Sequence, residues 1–142
     1  MIKIAQTDDE IRDCHTVMRQ LRPRHDDAKE FVARVRLQQR EGYHLAALND
    51  RGAVRAVAGY RFGNNLAWGK YLYVDDLVTD GTQRSQGHGK RLLDWLCAQA
   101  CEKGCDELHL DSGVQRFAAH RFYLRDAKMS ITSHHFQLGL RD

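Results

Sequence analysis

Seven consecutive residues, Arg84-Ser85-Gln86-Gly87-His88-Gly89-Lys90, are of the types that hold an anion. They lie between a strand-like run, YLYVDDLVT, and the start of a helix-like run, RLLDWL. The first turn of a helix presents unpaired N–H groups and a partial positive charge, and glycine lets the main chain approach a phosphate without side-chain obstruction. Arg84 and Lys90 add positive charge. Two better-known phosphate loops do not fit. The nucleotide-triphosphate loop needs glycine where Arg84 stands and Ser or Thr where Arg91 stands, and the dinucleotide fingerprint starting at Gly87 needs glycine where Leu92 stands. Read alone, the two glycines are equally compatible with a tight entry into a helix.

Other reactive types are scattered. Asp75 and Asp76 are adjacent on the strand-like run, so strict alternation turns them to opposite faces and only one looks into any given site. Asp111 and Ser112 follow a later strand and either reach a cleft or cap the next helix. Cys97, Cys101 and Cys105 are spaced by four, but Gly104 should end the helix before Cys105. The expectation is therefore thiols on the buried stripe of a helix and no metal. His134 and His135 are consecutive on a strand pattern and point apart, which disfavours a ligand pair.

These residues need a scaffold, and the 142-residue chain is long enough to build one as a single domain spanning 1–142. Its composition, 42% hydrophobic and 29% charged with one proline, is that of a globular protein. No signal-like start and no long apolar run occur, so the expectation is a cytoplasmic protein with reduced cysteines and no membrane partner. A formal charge of +3 carried mostly by arginine, without a basic block, reads as a solvated surface, and no nucleic-acid partner is expected.

Met1 to Ala5 alternates as a strand, and Thr7-Asp8-Asp9-Glu10 forms a capping box for a helix that Pro23 ends. A second helix starts near Asp26 or Asp27 and closes at Gly42. YHLAAL, AVRAVAGYRF and YLYVDDLVT, separated by turn residues, read as three antiparallel strands. A helix from Gly87 follows, then the strand DELHLD, a helix from Gln115 to Arg125 and a strand from Ser130 to Leu140. A helix between the fourth and fifth strands makes that pair parallel. The fold class is thus a mixed α/β, mainly antiparallel sheet with helices on both faces.

The run LYVDDLVTDGTQRSQGHGKRLLDWL resembles the core motif of the GCN5-related N-acetyltransferases, in which Arg or Gln, two residues, Gly, one residue and Gly or Ala open a helix. Arg84, Gly87 and Gly89 meet it, and AHRFY further on resembles the same family's later motif. The element order is similar from end to end. The resemblance implies the acyl-CoA N-acyltransferase fold with strands four and five splayed, and acetyl-CoA as the acetyl donor. It implies that Arg84, Ser85, Gln86, Gly87, His88, Gly89 and Lys90 hold the diphosphate of coenzyme A, and that the backbone of Leu77 and Val78 pairs with the pantetheine arm like an added strand. Tyr123 falls where the family often has the proton donor to the departing thiolate, its other reading being a core tyrosine. A bulge near Leu77 would free a backbone N–H for the oxyanion. Either aspartate could bind an ammonium or take its proton through water, and Asp76 is favoured over Asp75.

The chain departs from the family after Tyr123, where Gly-Phe is common and Leu124-Arg125-Asp126-Ala127 stands instead, so the turn must be made differently. The expected activity is direct acetyl transfer to a primary amine, on a small molecule or on a peptide or protein. The alternative is a sensor or interaction module that binds acyl-CoA on the same fold without turnover. Pairing of two copies as a homodimer is common in the family and is the expected assembly.

Overall fold

A computed structural model of the chain describes residues 1–83 and 86–141. It divides into two compact units, Met1–Leu110 and Asp111–Asp142, each described by itself. The first unit is built on a five-stranded sheet in the order β1-β2-β3-β4-β5: β1 Ile2–Ile4, β2 His44–Asp50, β3 Ala53–Asn65, β4 Gly69–Thr79 and β5 Glu107–Leu110. The first four strands pair antiparallel and β4 pairs with β5 in parallel, as the intervening helix requires.

The helix starts follow their local signals. Thr7 accepts from the Glu10 N–H while Glu10 accepts from the Thr7 and Gln6 N–H groups, opening α1 at Asp8–Asp13. The single first helix expected from periodicity is broken at Cys14, whose N–H bonds back three residues to Ile11, and continues as α2, His15–Leu21. Asp27 caps α3, Ala28–Gln39, through the Lys29 N–H. Leu45, Ala47 and Val57 pack with Ile11, Val17, Phe31 and Val35 from these three helices into one core.

The opposite face belongs to α4, His88–Glu102. Tyr60, three residues beyond Val57 and so on the other side of β3, meets Trp95 of α4 edge-on at 6.0 Å. Leu92, Leu93, Leu96 and Ala100 form the buried stripe of α4. Cys97 and Cys101 lie off it and are exposed, which corrects the expectation of buried thiols; only Cys14 is buried, and all four cysteines are free.

In the second unit the expected helix is shorter, α5 at Phe117–Arg121, and runs into a single π-helical turn at Phe122–Asp126. That turn supplies what the missing Gly-Phe would have done. Ala127 N–H bonds to Phe122 O, Lys128 takes a left-handed φ of 59°, and Met129 N–H closes on Tyr123 O. Ser130 to Leu140, expected as a strand, forms none among the described residues. Its alternation is strand-like, but a strand exists only with a ladder partner. Phe136, Leu138 and Leu140, two apart, are 90%, 82% and 89% exposed.

Candidate active site

The β4–β5 ladder ends where the candidate chemistry begins. Its last pair is Val74 with Leu110, and β4 runs on through Asp75, Asp76, Leu77 and Val78 with β3 on one side only among the described residues. Leu77 and Val78 pair with Ala58 and Val57 on that side. Their other edge is the place at which an extended ligand could add as a strand.

At the same point β4 carries a bulge. Asp76 pairs with Gly59 and Val74 with Tyr60, so Asp75 is the extra residue, two positions before Leu77. The bulge cancels the strict alternation expected of the two aspartates, and both enter one cluster of contacts around Tyr43. Asp76 accepts from Arg22 Nε through Oδ1 and from the Tyr43 hydroxyl through Oδ2, both at 2.8 Å, and its side chain is 13% exposed. Arg22 also donates from Nη2 to the Asp75 carbonyl at 2.9 Å. Asp75 pairs with Arg61 at 2.9 Å, and the Arg61 guanidinium lies 5.5 Å from the centre of the Tyr43 ring.

Burial, then the charge of Asp76, push the Tyr43 phenol well above its ordinary value, so it stays a donor. Burial also raises Asp75, against the opposing pull of Arg61. Gly59 makes the cluster possible: a Cβ there would land on the Tyr43 hydroxyl and lie 2.6 Å from Asp76 Oδ2. Arg22, Tyr43, Gly59 and Arg61 carry no local sequence signal for this role. They are brought together from β3, the residue before β2 and the end of a helix, and only the pairing of β3 with β4 would have pointed to them.

A cavity of about 270 Å³ adjoins the cluster, with Tyr43 and Asp76 on its sheet side and Met18, Phe31 and Val35 among its helical lining. This is near the lower end of the range for small-molecule sites.

The start of α4 is described from Gln86 onward. Gly87 is the N-cap of α4 at φ 77°, no side chain caps the helix among the described residues, and no acidic residue stands in its first turn. The first N–H groups are thus left for a ligand or water. His88 is 4% exposed and neither ring nitrogen finds a partner among the described residues. A glycine-opened helix mouth without an acidic residue fits a diphosphate. Gln86 is exposed, Gly89 and Lys90 are partly buried, and Lys90 is paired with Asp94 on its own helix. The expectations on Arg84 and Ser85 lie outside the described residues.

In the second unit Tyr123 is half-buried. Burial raises its phenol, and a hydrogen bond with Arg116 opposes the rise. Asp111 meets His135 at 3.6 Å, and the Ser112 hydroxyl is buried without a partner among the described residues. Among the described residues no cluster of three or more His, Cys, Asp or Glu is placed to hold a metal.

The sequence model of the acetyltransferase (GNAT) family matches residues 4–127. This chain belongs to that family. It is accordingly an N-acetyltransferase, and the family's chemistry is acetyl transfer from acetyl-CoA. The uncharacterized N-acetyltransferase YhdJ of Bacillus subtilis (strain 168) is 39% identical over 99 residues, 70% of each chain. Solved structures share the fold at low identity. A transcriptional regulator from Bacillus halodurans C-125 superposes with a TM-score of 0.85 at 17% identity over 99% of both chains. The enzyme AAC(6')-Iy, solved with a bisubstrate analogue of coenzyme A and monomethyl-acetylneamine, gives 0.79 at 15% identity over 100% of this chain and 99% of that one.

Proposed function

We propose that this protein moves the acetyl group of acetyl-CoA to a primary amine by direct attack, the whole chain acting as one acetyltransferase domain. The observation that carries the reading is the termination of the β4–β5 ladder at Val74, beside a bulge that gathers Asp75 and Asp76. Acetyl-CoA supplies the activated acyl group as a thioester. The uncapped N–H groups from Gly87 to Lys90, with Arg84 and Ser85, hold its diphosphate, and the free edge of Leu77 and Val78 aligns its pantetheine arm.

The amine enters from the cavity side. Asp76 anchors the ammonium and passes its proton to water, so that the neutral nitrogen can attack the acetyl carbonyl. The carbon–sulfur bond then breaks, the thiolate takes the phenolic proton of Tyr123, whose raised phenol keeps that proton at neutral pH, and the proton shed by the acylated nitrogen passes through water to restore the phenol. A backbone N–H at the bulge meets the oxyanion. No helix among the described residues is long and apolar enough to cross a membrane, in keeping with a cytoplasmic location as part of this reading. Self-association into a homodimer is the further part, supported by the exposed alternating Phe136, Leu138 and Leu140.

The test has two arms. Saturating acetyl-CoA should raise the melting temperature, because a ligand of the folded state stabilises it. Thiol release with a broad amine panel should then show turnover that Tyr123→Phe lowers roughly a hundredfold, with acetyl-CoA affinity kept. Binding without thiol release from any amine would favour the sensor alternative, and unchanged turnover in the variant would remove Tyr123 from its role.

A further inference from the structure

The cavity beside Asp76 has a charge pattern that amine acetylation alone does not require. Its lining includes Arg22, Arg24, His25 and Arg34, and a single carboxylate, Asp76. A site built only for an ammonium would be lined by carboxylates and carbonyls, since like charges around a cationic substrate repel it.

The arginines differ in what they are free to do. Arg22 is committed, with Nε on Asp76 and Nη2 on the Asp75 carbonyl, so it fixes the carboxylate at the sheet side of the cavity. Arg34 shares one carboxylate with His25: Arg34 Nε meets Glu30 Oε1 and His25 Nδ1 meets Glu30 Oε2, each at 3.1 Å. Neither terminal nitrogen of Arg34 has a hydrogen-bond partner among the described residues, and its side chain is 58% exposed. Arg24 is exposed and has no ion pair among the described residues. The helical wall thus offers guanidinium groups with spare donors, while the sheet wall offers one immobilised carboxylate. Guanidinium is the side chain best matched to a carboxylate or phosphate.

We propose that the acceptor is a small molecule carrying an anionic group, a carboxylate or a phosphate, together with its amine. Arg24 and Arg34 hold the anion, and the amine is directed to Asp76 next to the free edge of β4. This rests on the acetyltransferase reading and narrows its acceptor.

Thiol release from acetyl-CoA is measured with matched pairs, α-amino acids against their carboxamides and hexosamine phosphates against the parent hexosamines. The expected result is a kcat/KM roughly ten- to hundredfold higher for the anionic member of one set, carried by KM, since hydrogen bonds to a charged group have about that worth. Whichever set responds tells carboxylate from phosphate. In the double variant Arg24→Gln, Arg34→Gln the preference should collapse toward parity. Neutral amines turned over as well as the anionic ones, or a preference that survives in the double variant, would overturn the proposal and leave acetyl transfer standing.

A second readout is independent of turnover: the rise in melting temperature given by each anionic amine, for the wild type and the double variant. Protection of the wild type alone, with no thiol released from any amine, would keep the anion site and sink the acetyltransferase reading. Absence of both turnover and anion-dependent protection would sink both.

Discussion

The mouth of α4 and the cavity beside α3 are both suited to an anion, but they are built from different materials. At α4 the donors are main-chain N–H groups, which no side chain among the described residues caps because Gly87 stands at the N-cap. At the cavity the donors are arginine side chains delivered by α2, α3 and the segment between them, and positioned against a carboxylate from β4. The first site depends on seven consecutive residues, the second on groups far apart in the chain: Arg22 and Asp76 are 54 positions apart, and Tyr43 and Asp76 are 33 apart. A main-chain site is generic for a phosphate, whereas a side-chain site can be changed one residue at a time. On the proposed function, the shared donor then belongs at α4 and the individual acceptor at the cavity.

Substitutions that touch one site and spare the other test that division. The largest effect is expected from Asp76→Asn, which keeps the shape and the bond to Tyr43 but removes the charge facing Arg22. Steady-state kinetics should show kcat/KM for the amine reduced about a hundredfold, with the dissociation constant of acetyl-CoA within twofold of wild type. A matching loss of acetyl-CoA affinity would merge the two sites into one.

The reverse pattern is expected of Gly87→Val. Nothing lies within 4 Å of a Cβ at this position, so the obstacle is conformational, a left-handed φ of 77° that a β-branched residue resists. Calorimetric titration should find acetyl-CoA bound roughly tenfold more weakly, the strain amounting to about 1–2 kcal/mol. The KM for the amine at saturating donor should stay as it was.

The smallest effect is expected from Tyr43→Phe, a loss of about 1 kcal/mol of stability read as a fall of a few degrees in melting temperature. Its pH dependence has a definite sign. The folded state raises the Tyr43 phenol, so the stability it contributes is complete below the ordinary tyrosine value near 10 and is lost as pH rises through the higher folded value. Alkaline unfolding curves of wild type and variant should therefore converge at high pH; a constant gap would show that the hydroxyl is not the titrating group.

Much of the frame was legible in advance. The capping box at Thr7, the cap at Asp27 and the helix opening at Gly87 follow from residues within a few positions of one another, and the parallel β4–β5 pair follows from the helix between the two strands. Where the expectation failed, the deciding interaction was not local. The leucines and Ala100 of the α4 stripe are buried as expected, but Cys97 and Cys101 are not, because spacing alone does not say where the edge of an apolar arc falls. The terminal strand from Ser130 was expected from alternation, but a ladder needs a second edge that periodicity does not supply.

The sequence by itself determined the order of the five strands, the glycine at the opening of α4 and the family, because hydrogen bonds over one helical turn and the conformational freedom of glycine are properties of neighbouring residues. Only the tertiary structure decided the acceptor side. The register of β3 against β4 places an extra residue at Asp75, and this turns both aspartates into one cluster, admits Tyr43 above Gly59 and brings Arg22 across from the end of α2. A shift of register by one residue exchanges the faces of a strand, so the chemistry of that cluster exists only once the sheet has formed.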